Sequence, residues 1–243
     1  MINQVPPITR NLIIINVVVF ALTYLLNSEM MYRYLAAFYP FSPFFHSWQI
    51  ITHMFMHGSF MHILFNMLTL YSFGPVLERI LGDRKYLILY FVSGLGAFFL
   101  FNLWNFIEVE QIKSSLQSFG FDLNGYMLGE SVSFQGNAQA VLEQRKLVGD
   151  LQSIISIPMV GASGAIFGVI AAFAVLFPDA EIMIMFIPVP VKVKYVLPVV
   201  VIGSVILGVT GNVGGIAHLA HVGGALVGIL LAWYWKKNRF RIN

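Results

Sequence analysis

The stretch MVGASGAIFGVIAAFAVLFP, residues 159–178, decides the fold class of this 243-residue chain. It has no charged residue and is about as long as an α-helix must be to cross the hydrocarbon core of a bilayer. Its one hydroxyl, Ser163, lies in the sequence GASGA, where no bulky side chain shields it. The whole chain is 58% hydrophobic and 10% charged, whereas roughly 25% of a soluble domain is charged. The sequence therefore predicts an integral membrane protein.

The composition also excludes several kinds of chemistry. The chain has no cysteine, so disulfides, thiolate catalysis and Cys-ligated metals are ruled out. A net charge of +3 could suggest nucleic acid, but basic residues in a membrane protein are placed by its topology. We expect no nucleic-acid partner, no metal and no cofactor; the expected partner at this point is the lipid bilayer.

Six apolar segments predict an all-α bundle of six transmembrane helices in a single domain, residues 1–243. The segment 108–158 is polar and is predicted to be a large extramembrane insertion between the third and fourth helices, with an amphipathic helix near 138–155 resting on the outer leaflet. The predicted spans are 12–26, 60–77, 86–107, 161–177, 193–209 and 216–235.

The positive charges of the chain predict its orientation. With six spans, ten Lys and Arg residues fall on the side of both termini and four on the other side, which places both termini in the cytoplasm of a cell (inner or plasma) membrane. The ten are Arg10, Arg79, Arg84, Lys85, Lys192, Lys194, Lys236, Lys237, Arg239 and Arg241; the four are Arg33, Lys113, Arg145 and Lys146.

Unusual polar residues recur near the outer ends of the second, fourth and sixth predicted helices. His62 and Asn66 share a face of the second helix, and Ser163 is the third residue of the fourth. His218 and His221 lie in the first turns of the sixth helix. Ionisable groups inside a span are costly and usually face a cavity or a partner. Their common depth predicts one site.

Glycines predict how two of these helices approach each other. Gly164 and Gly168 form one small-xxx-small pair, and Gly224 and Gly228 form another, which allows close backbone contact. Close contact would let Ser163 share a hydrogen bond with a histidine that could act as its base. A serine, a histidine and extra hydrogen-bond donors are the components of acyl-transfer chemistry.

Several motifs resemble those of the rhomboid intramembrane serine proteases. GASGAIFG (161–168) resembles the family's GxSG motif, AHVGGALVG (220–228) its His-x-x-Gly-x-x-x-Gly motif, and HMFMHGSFMHILFNM (53–67) its second-helix block. LERILG (77–82) resembles the end of that block. The resemblance implies a serine-type endopeptidase that cleaves transmembrane segments of other proteins near the outer membrane boundary.

The same resemblance assigns roles to residues. It implies that Ser163 is the nucleophile and His221 the general base of a dyad without an acid, and that His62, Asn66 and the Ser163 backbone form the oxyanion hole. Gly161, Gly164, Gly168, Gly224 and Gly228 would pack the helices. The family often has Trp-Arg before the second helix, whereas this chain has Trp48-Gln49, and Phe167 stands where some members have a tyrosine.

Two other classes of function stay open at this point. A histidine-based metal or haem protein could use His53, His57 and His62, since two of them are four residues apart. A catalytically inactive rhomboid-like binding protein is the other, although such a protein would be expected to have lost the serine or the histidine. His53, His57 and His218 have no assigned role.

Overall fold

The structure is a computed structural model that describes residues 5–127, 130–182, 190–210 and 215–238. Arg239 and Arg241 of the charge count lie outside them. Most of the described chain is α-helical, with one 3₁₀ turn at His53–Phe55 and a short antiparallel ribbon that pairs β1 (Glu181–Ile182) with β2 (Val191–Lys192). The helices are α1 Pro7–Leu25, α2 Ser28–Leu35, α3 Gln49–Thr52, α4 Phe60–Leu81, α5 Asp83–Ser118, α6 Leu123–Met127, α7 Ala138–Ser156, α8 Ser163–Leu176, α9 Val193–Thr210 and α10 Gly215–Asn238.

Four of these helices, α1, α4, α5 and α10, are long and apolar enough to cross a membrane. Two shorter apolar helices coincide with the fourth and fifth predicted spans, at Ser163–Leu176 and Val193–Gly203. An all-α membrane fold is therefore confirmed, while the count of six spans stays a prediction. The predicted start of the fourth helix was two residues early, because α8 begins at Ser163 itself.

The chain forms two compact units. The first contains residues 1–37, 46–101 and 159–243, and the second contains 38–45 and 102–158. Helix α5 contributes its first half to one unit and its second half to the other. It has 36 residues, or about 54 Å at 1.5 Å per residue, which exceeds the roughly 30 Å hydrocarbon core. The third predicted span ended at 107, but the helix continues eleven residues further without a break.

In the first unit, a buried carboxylate caps the start of α1. Glu78 on α4 is 1% exposed and accepts hydrogen bonds from the backbone N–H groups of Ile8 and Thr9, at 2.8 and 2.7 Å, and from the Thr9 hydroxyl at 2.6 Å. The first amides of a helix have no partner within the helix, and the helix dipole favours a negative charge there. Glu78 thus fixes α1 against α4.

The glycine pairs meet where α8 crosses α10. A Cβ atom at Gly224 would overlap the carbonyl oxygen of Gly164, and one at Gly228 would overlap the carbonyl oxygen of Gly168. The backbones of the two helices are therefore in direct contact, a contact that small-xxx-small pairs allow. The apolar residues of α8 complete a core shared with α1, α4 and α5.

The second unit has a core of large side chains. The apolar face of α7, including Val148, Leu151 and Ile154, packs against Leu116 and its neighbours on α5. The predicted helix at 138–155 is confirmed within one residue, but the prediction that its apolar face rests on a lipid surface is wrong. That face is buried within the protein because the extended α5 supplies an apolar partner. Leu142, which is 64% exposed, points away from it.

Candidate active site

The serine that begins α8 and a histidine of α10 are joined by a hydrogen bond. The distance between Ser163 Oγ and His221 Nε2 is 2.8 Å. Both side chains are half-buried. The contact depends on the glycine crossing, because the carbonyl of Gly164, next to the serine, touches Gly224 one turn after the histidine. A neutral imidazole can accept the hydroxyl proton at this distance.

An aromatic ring fixes the plane of the imidazole. Phe167, four residues after the serine, stacks on His221 with ring centroids 4.2 Å apart and an interplanar angle of 5°. Phe167 stands where some members of the resembled family have a tyrosine, and it stacks on the imidazole without a hydroxyl group. Among the described residues, no carboxylate bonds to the imidazole, so the ring is oriented by stacking and by the serine.

The turn before α8 shapes the space beside the serine. Gly161 has a φ of +122°, a conformation that residues with a Cβ rarely adopt, and its N–H donates to the carbonyl of His53 at 3.0 Å. No side chain in the described part of the protein caps α8. The first-turn amides, including that of Ser163, therefore have no intrahelical acceptor and lie beside the hydroxyl.

Two more donors come from the first turns of α4. The Ser59 hydroxyl caps this helix by accepting the backbone N–H of His62 at 3.2 Å. A Cβ at Gly161 would lie 2.8 Å from His62 Nε2 and 3.6 Å from Ser163 Oγ, so both side chains border the same small space. One turn further on, Asn66 is 6% exposed, and its Nδ2 is buried without a hydrogen-bond partner among the described residues.

Three of the remaining four histidines lie beside these residues. His53 is 1% exposed, and its Nδ1–H donates to the carbonyl of Gln49 at 2.8 Å. His57 is equally buried, and neither ring nitrogen has a partner among the described residues; its ring meets that of His62 edge-on at 5.0 Å. His218 contacts His221 edge-on at 6.0 Å.

Burial lowers the pKa of two of these imidazoles. Desolvation brings the pKa of His53 from 6.5 to about 4. It brings the pKa of His57 to about 4 as well, with a smaller contribution from the nearby His62. Both rings are therefore neutral at pH 7.

A small cavity lies beside the serine. It measures about 20 Å³ and is bordered by Ser163, Gly161, His53 and eight neighbouring residues. Since a water molecule needs a cavity of about 10–15 Å³ measured in this way, there is room for one water next to the hydroxyl.

Gln49 stands where the resembled family often has an arginine, and it anchors the segment that precedes residues 53–67. Gln49 is fully buried; its Nε2 donates to the carbonyl of Arg33 at 2.9 Å, and its Oε1 accepts the N–H of His46 at 3.1 Å. Trp48 Nε1 donates to the carbonyl of Tyr34 at 2.7 Å. Gln49 thus ties the residues before α4 to the end of α2.

Sequence reasoning missed the third helix of the crossing. A Cβ at Gly168 would overlap the Ser93 hydroxyl, and one at Gly164 would overlap the Ala97 side chain. Ser93 and Ala97, four residues apart on α5, are themselves a small-xxx-small pair, and this signal could have identified them. Gly96 and Gly223 also meet at backbone distance.

The metal alternative finds no support in the part of the chain that the structure describes. No three His, Asp or Glu side chains there come close enough together to hold an ion. His53 and His57 are four residues apart in sequence, but they do not share one face of an α-helix, because His53–Phe55 is a 3₁₀ turn.

Comparison with known proteins gives a family. Residues 45–238 match the Rhomboid domain. The chain is 30% identical over 191 residues to "Rhomboid protein 1, mitochondrial" of Saccharomyces cerevisiae. The aligned residues cover 77% of this chain and 42% of that protein. It is 35% identical over 94 residues to "Rhomboid protease GlpG" of Klebsiella pneumoniae, covering 39% of this chain and 34% of that protein.

A shorter match reaches a third relative, and it agrees with the other two. The "Putative rhomboid protease YdcA" of Bacillus subtilis is 42% identical over 48 residues, covering 20% of this chain and 24% of that protein. The chain spans less than half the length of each of these relatives. The domain match, these relatives and the spanning helices together show that this chain is an integral, multi-pass membrane protein that belongs to the rhomboid family.

Proposed function

We propose that the chain is an intramembrane serine endopeptidase that hydrolyses peptide bonds in or near transmembrane segments of other membrane proteins. The observation that carries this proposal is the 2.8 Å hydrogen bond between Ser163 Oγ and His221 Nε2. A serine hydroxyl is a weak nucleophile until a neighbouring base accepts its proton. The two residues lie on helices whose backbones touch at the glycine crossing, which supports the proposal.

The chemistry follows from these two side chains. Ser163 Oγ attacks the scissile carbonyl carbon while its proton passes to His221 Nε2. The imidazolium then gives that proton to the leaving amine, and an acyl-enzyme remains. A water molecule, deprotonated by His221, hydrolyses the ester and restores the serine. The cavity of about 20 Å³ beside Ser163 can hold such a water.

The negative charge that forms on the carbonyl oxygen needs donors. Asn66 Nδ2 has no partner among the described residues although it is buried. A buried donor normally costs stability unless it is bonded. An oxyanion held by Asn66, His62 and the Ser163 amide would satisfy it, and donors placed in advance stabilise the charge without rearrangement.

The site also favours a class of substrate. Ser163, His221 and Asn66 all lie on helices of an integral membrane protein. A polypeptide segment within or next to the membrane can therefore reach them most directly. A peptide bond within a regular helix is shielded, because its carbonyl is hydrogen-bonded and its side chains crowd the carbon. Segments with small or helix-breaking residues near the cut are the proposed substrates.

The orientation we propose follows the positive charges. Six spans would place both termini on the side that carries most of the Lys and Arg residues, which is the cytoplasmic side of a cell membrane. Residues 108–158 would then lie outside the bilayer on the opposite side. The length of α5 supports this, since one membrane cannot contain all of its 36 residues.

A labelling experiment tests the proposal. The purified full chain in detergent is incubated with a fluorophosphonate that reacts with activated serines, and the labelled site is located by peptide mass spectrometry. We expect label on Ser163 alone. Ser72→Ala is the matched control, because Ser72 is exposed on α4 and donates only to the carbonyl of Leu68. No label on wild type, or equal label on Ser163→Ala, would contradict the proposal.

A further inference from the structure

A second cavity lies at the other end of α8. It measures about 200 Å³ and is bordered by the last residues of α4, α8 and α10 and the first turn of α5: Ile80, Leu81, Lys85, Leu176, Phe177, Trp235 and Lys236. Leu176 is thirteen residues after Ser163, or about 20 Å along the helix. This cavity is therefore distinct from the candidate active site.

Two lysines border a wall that is otherwise apolar. Lys236 Nζ donates to the carbonyl of Val175 at 3.0 Å, near the C-terminal end of α8. An ammonium group has three donors, so this bond fixes its position and leaves two for a ligand. Lys85 is exposed and forms no ion pair with any described residue. It lies in the first turn of α5.

Aromatic residues mark the depth of this cavity relative to a membrane. Trp235 forms part of the wall, while Trp233 and Tyr234 beside it are 57% and 60% exposed. Lys237 Nζ lies 5.2 Å from the centroid of the Trp233 ring. Exposed Trp and Tyr with neighbouring Lys, at the end of a spanning helix, are typical of the headgroup region of a bilayer.

We propose that this cavity binds the headgroup of an anionic phospholipid. Lys85 and Lys236 would pair with the phosphate oxygens, while Leu176, Phe177 and Trp235 contact the glycerol and the start of the acyl chains. Basic pockets between transmembrane helices bind lipid headgroups in this way. The apolar wall favours a lipid over a free phosphate ion, because a free ion gains nothing from it. The proposal does not depend on the peptidase assignment.

Lipid binding to the full chain in detergent tests this. Native mass spectrometry measures the affinity for dioleoylphosphatidylglycerol, with dioleoylphosphatidylcholine as the zwitterionic comparison. A lysine near a lipid phosphate contributes about 1 kcal/mol, so Lys85→Gln and Lys236→Gln should each weaken phosphatidylglycerol binding about fivefold, and the double variant about 25- to 30-fold. Lys85→Arg/Lys236→Arg should restore most of it.

The matched control removes the same charge elsewhere. Lys113→Gln/Lys146→Gln changes two lysines of the second unit and should leave the affinity unchanged. Equal weakening by this control, or a Lys85→Gln/Lys236→Gln variant that binds within twofold of wild type, would overturn the proposal. Displacement of the lipid by an equal concentration of inorganic phosphate would also overturn it, because it would identify a site for free anions.

Discussion

The α8–α10 crossing of the first unit and the α5–α7 contact of the second unit are built in opposite ways. At the crossing, glycines put backbone against backbone, so that Gly224 has no room for a methyl group. In the second unit, Leu116, Leu151 and Ile154 fill the space between helices with side chains. At Gly149 of α7, a Cβ would meet no atom of the described residues within 4 Å.

This difference explains why the candidate active site lies at the crossing. Side-chain packing holds helices 8–10 Å apart, whereas glycine contact brings them close enough for two short side chains to form a hydrogen bond. The crossing therefore combines position and chemistry, and small changes there should cost activity. The second unit offers a tolerant comparison in the same molecule. The following predictions run from the largest expected effect to the smallest.

The largest effect should come from the hydrogen-bonded pair itself. Ser163→Ala and His221→Ala should each abolish cleavage of a transmembrane substrate, and the double variant should be no slower, because the two groups act as a unit. Turnover is measured with purified variants of matched thermal stability. Wild-type turnover by Ser163→Ala would exclude the serine mechanism.

The next effect should come from the oxyanion donors. Asn66→Ala and His62→Ala should lower kcat by about 10²–10³, the usual loss for one such donor, with little change in KM. Thr69→Ala is a control on the same helix, since the hydroxyl of this half-buried residue donates to the carbonyl of Phe65. A change confined to KM would indicate substrate binding instead.

A single methyl group at the crossing should follow in size. In Gly224→Ala, the new Cβ overlaps the carbonyl of Gly164, so α8 and α10 must move apart and the Ser163–His221 bond lengthens. A displacement of about 1 Å can cost about 10² in rate. Steady-state cleavage and fluorophosphonate labelling should fall together. Undiminished labelling would show that the helices tolerate the methyl group.

A pH titration should lower the stability of the first unit relative to the second by about 2 kcal/mol for each buried histidine. Burial lowers the pKa of His57 from 6.5 to about 4, so the unfolded chain binds a proton first as the pH falls. The free energy of unfolding should therefore be constant above pH 6.5 and decrease between pH 6.5 and 4, by about 2 kcal/mol per buried histidine at pH 5.

The second unit should not show this loss, because residues 38–45 and 102–158 contain no histidine. Hydrogen exchange at pH 7 and pH 5, corrected for intrinsic rates, reports the units separately. His57→Phe should flatten the response of the first unit in part, since His53 remains. An equal loss of stability in both units at pH 5 would show that the buried histidines do not cause it.

The smallest effect should come from the tolerant position. Gly149→Ala places a methyl group on the exposed side of α7 and should raise the stability of the second unit by about 0.4–1 kcal/mol, since alanine restricts the unfolded chain and favours helix. Cleavage should be unchanged. Thermal unfolding and turnover are measured for Gly149→Ala and Gly224→Ala in parallel. A loss of activity in both variants would show that the α5–α7 contact is no more tolerant than the α8–α10 crossing.

The sequence by itself determined the fold class and the positions of most helices, and it predicted which residues form the candidate site. Spanning length and small-xxx-small spacing are local properties, so α8 and α10 could be predicted from residues a few positions apart. The motifs around Ser163 and His221 indicated the family for the same reason.

Only the tertiary structure decided which distant groups meet. Glu78 caps α1 across sixty-nine residues, Ser93 and Ala97 join the glycine crossing, and the face of α7 expected on lipid is buried against α5. The basic cavity between Lys85 and Lys236 likewise exists only where four helix ends converge. Local patterns state what a face prefers to contact, but an apolar surface is satisfied equally by lipid or by protein. Which of the two it meets depends on the whole chain.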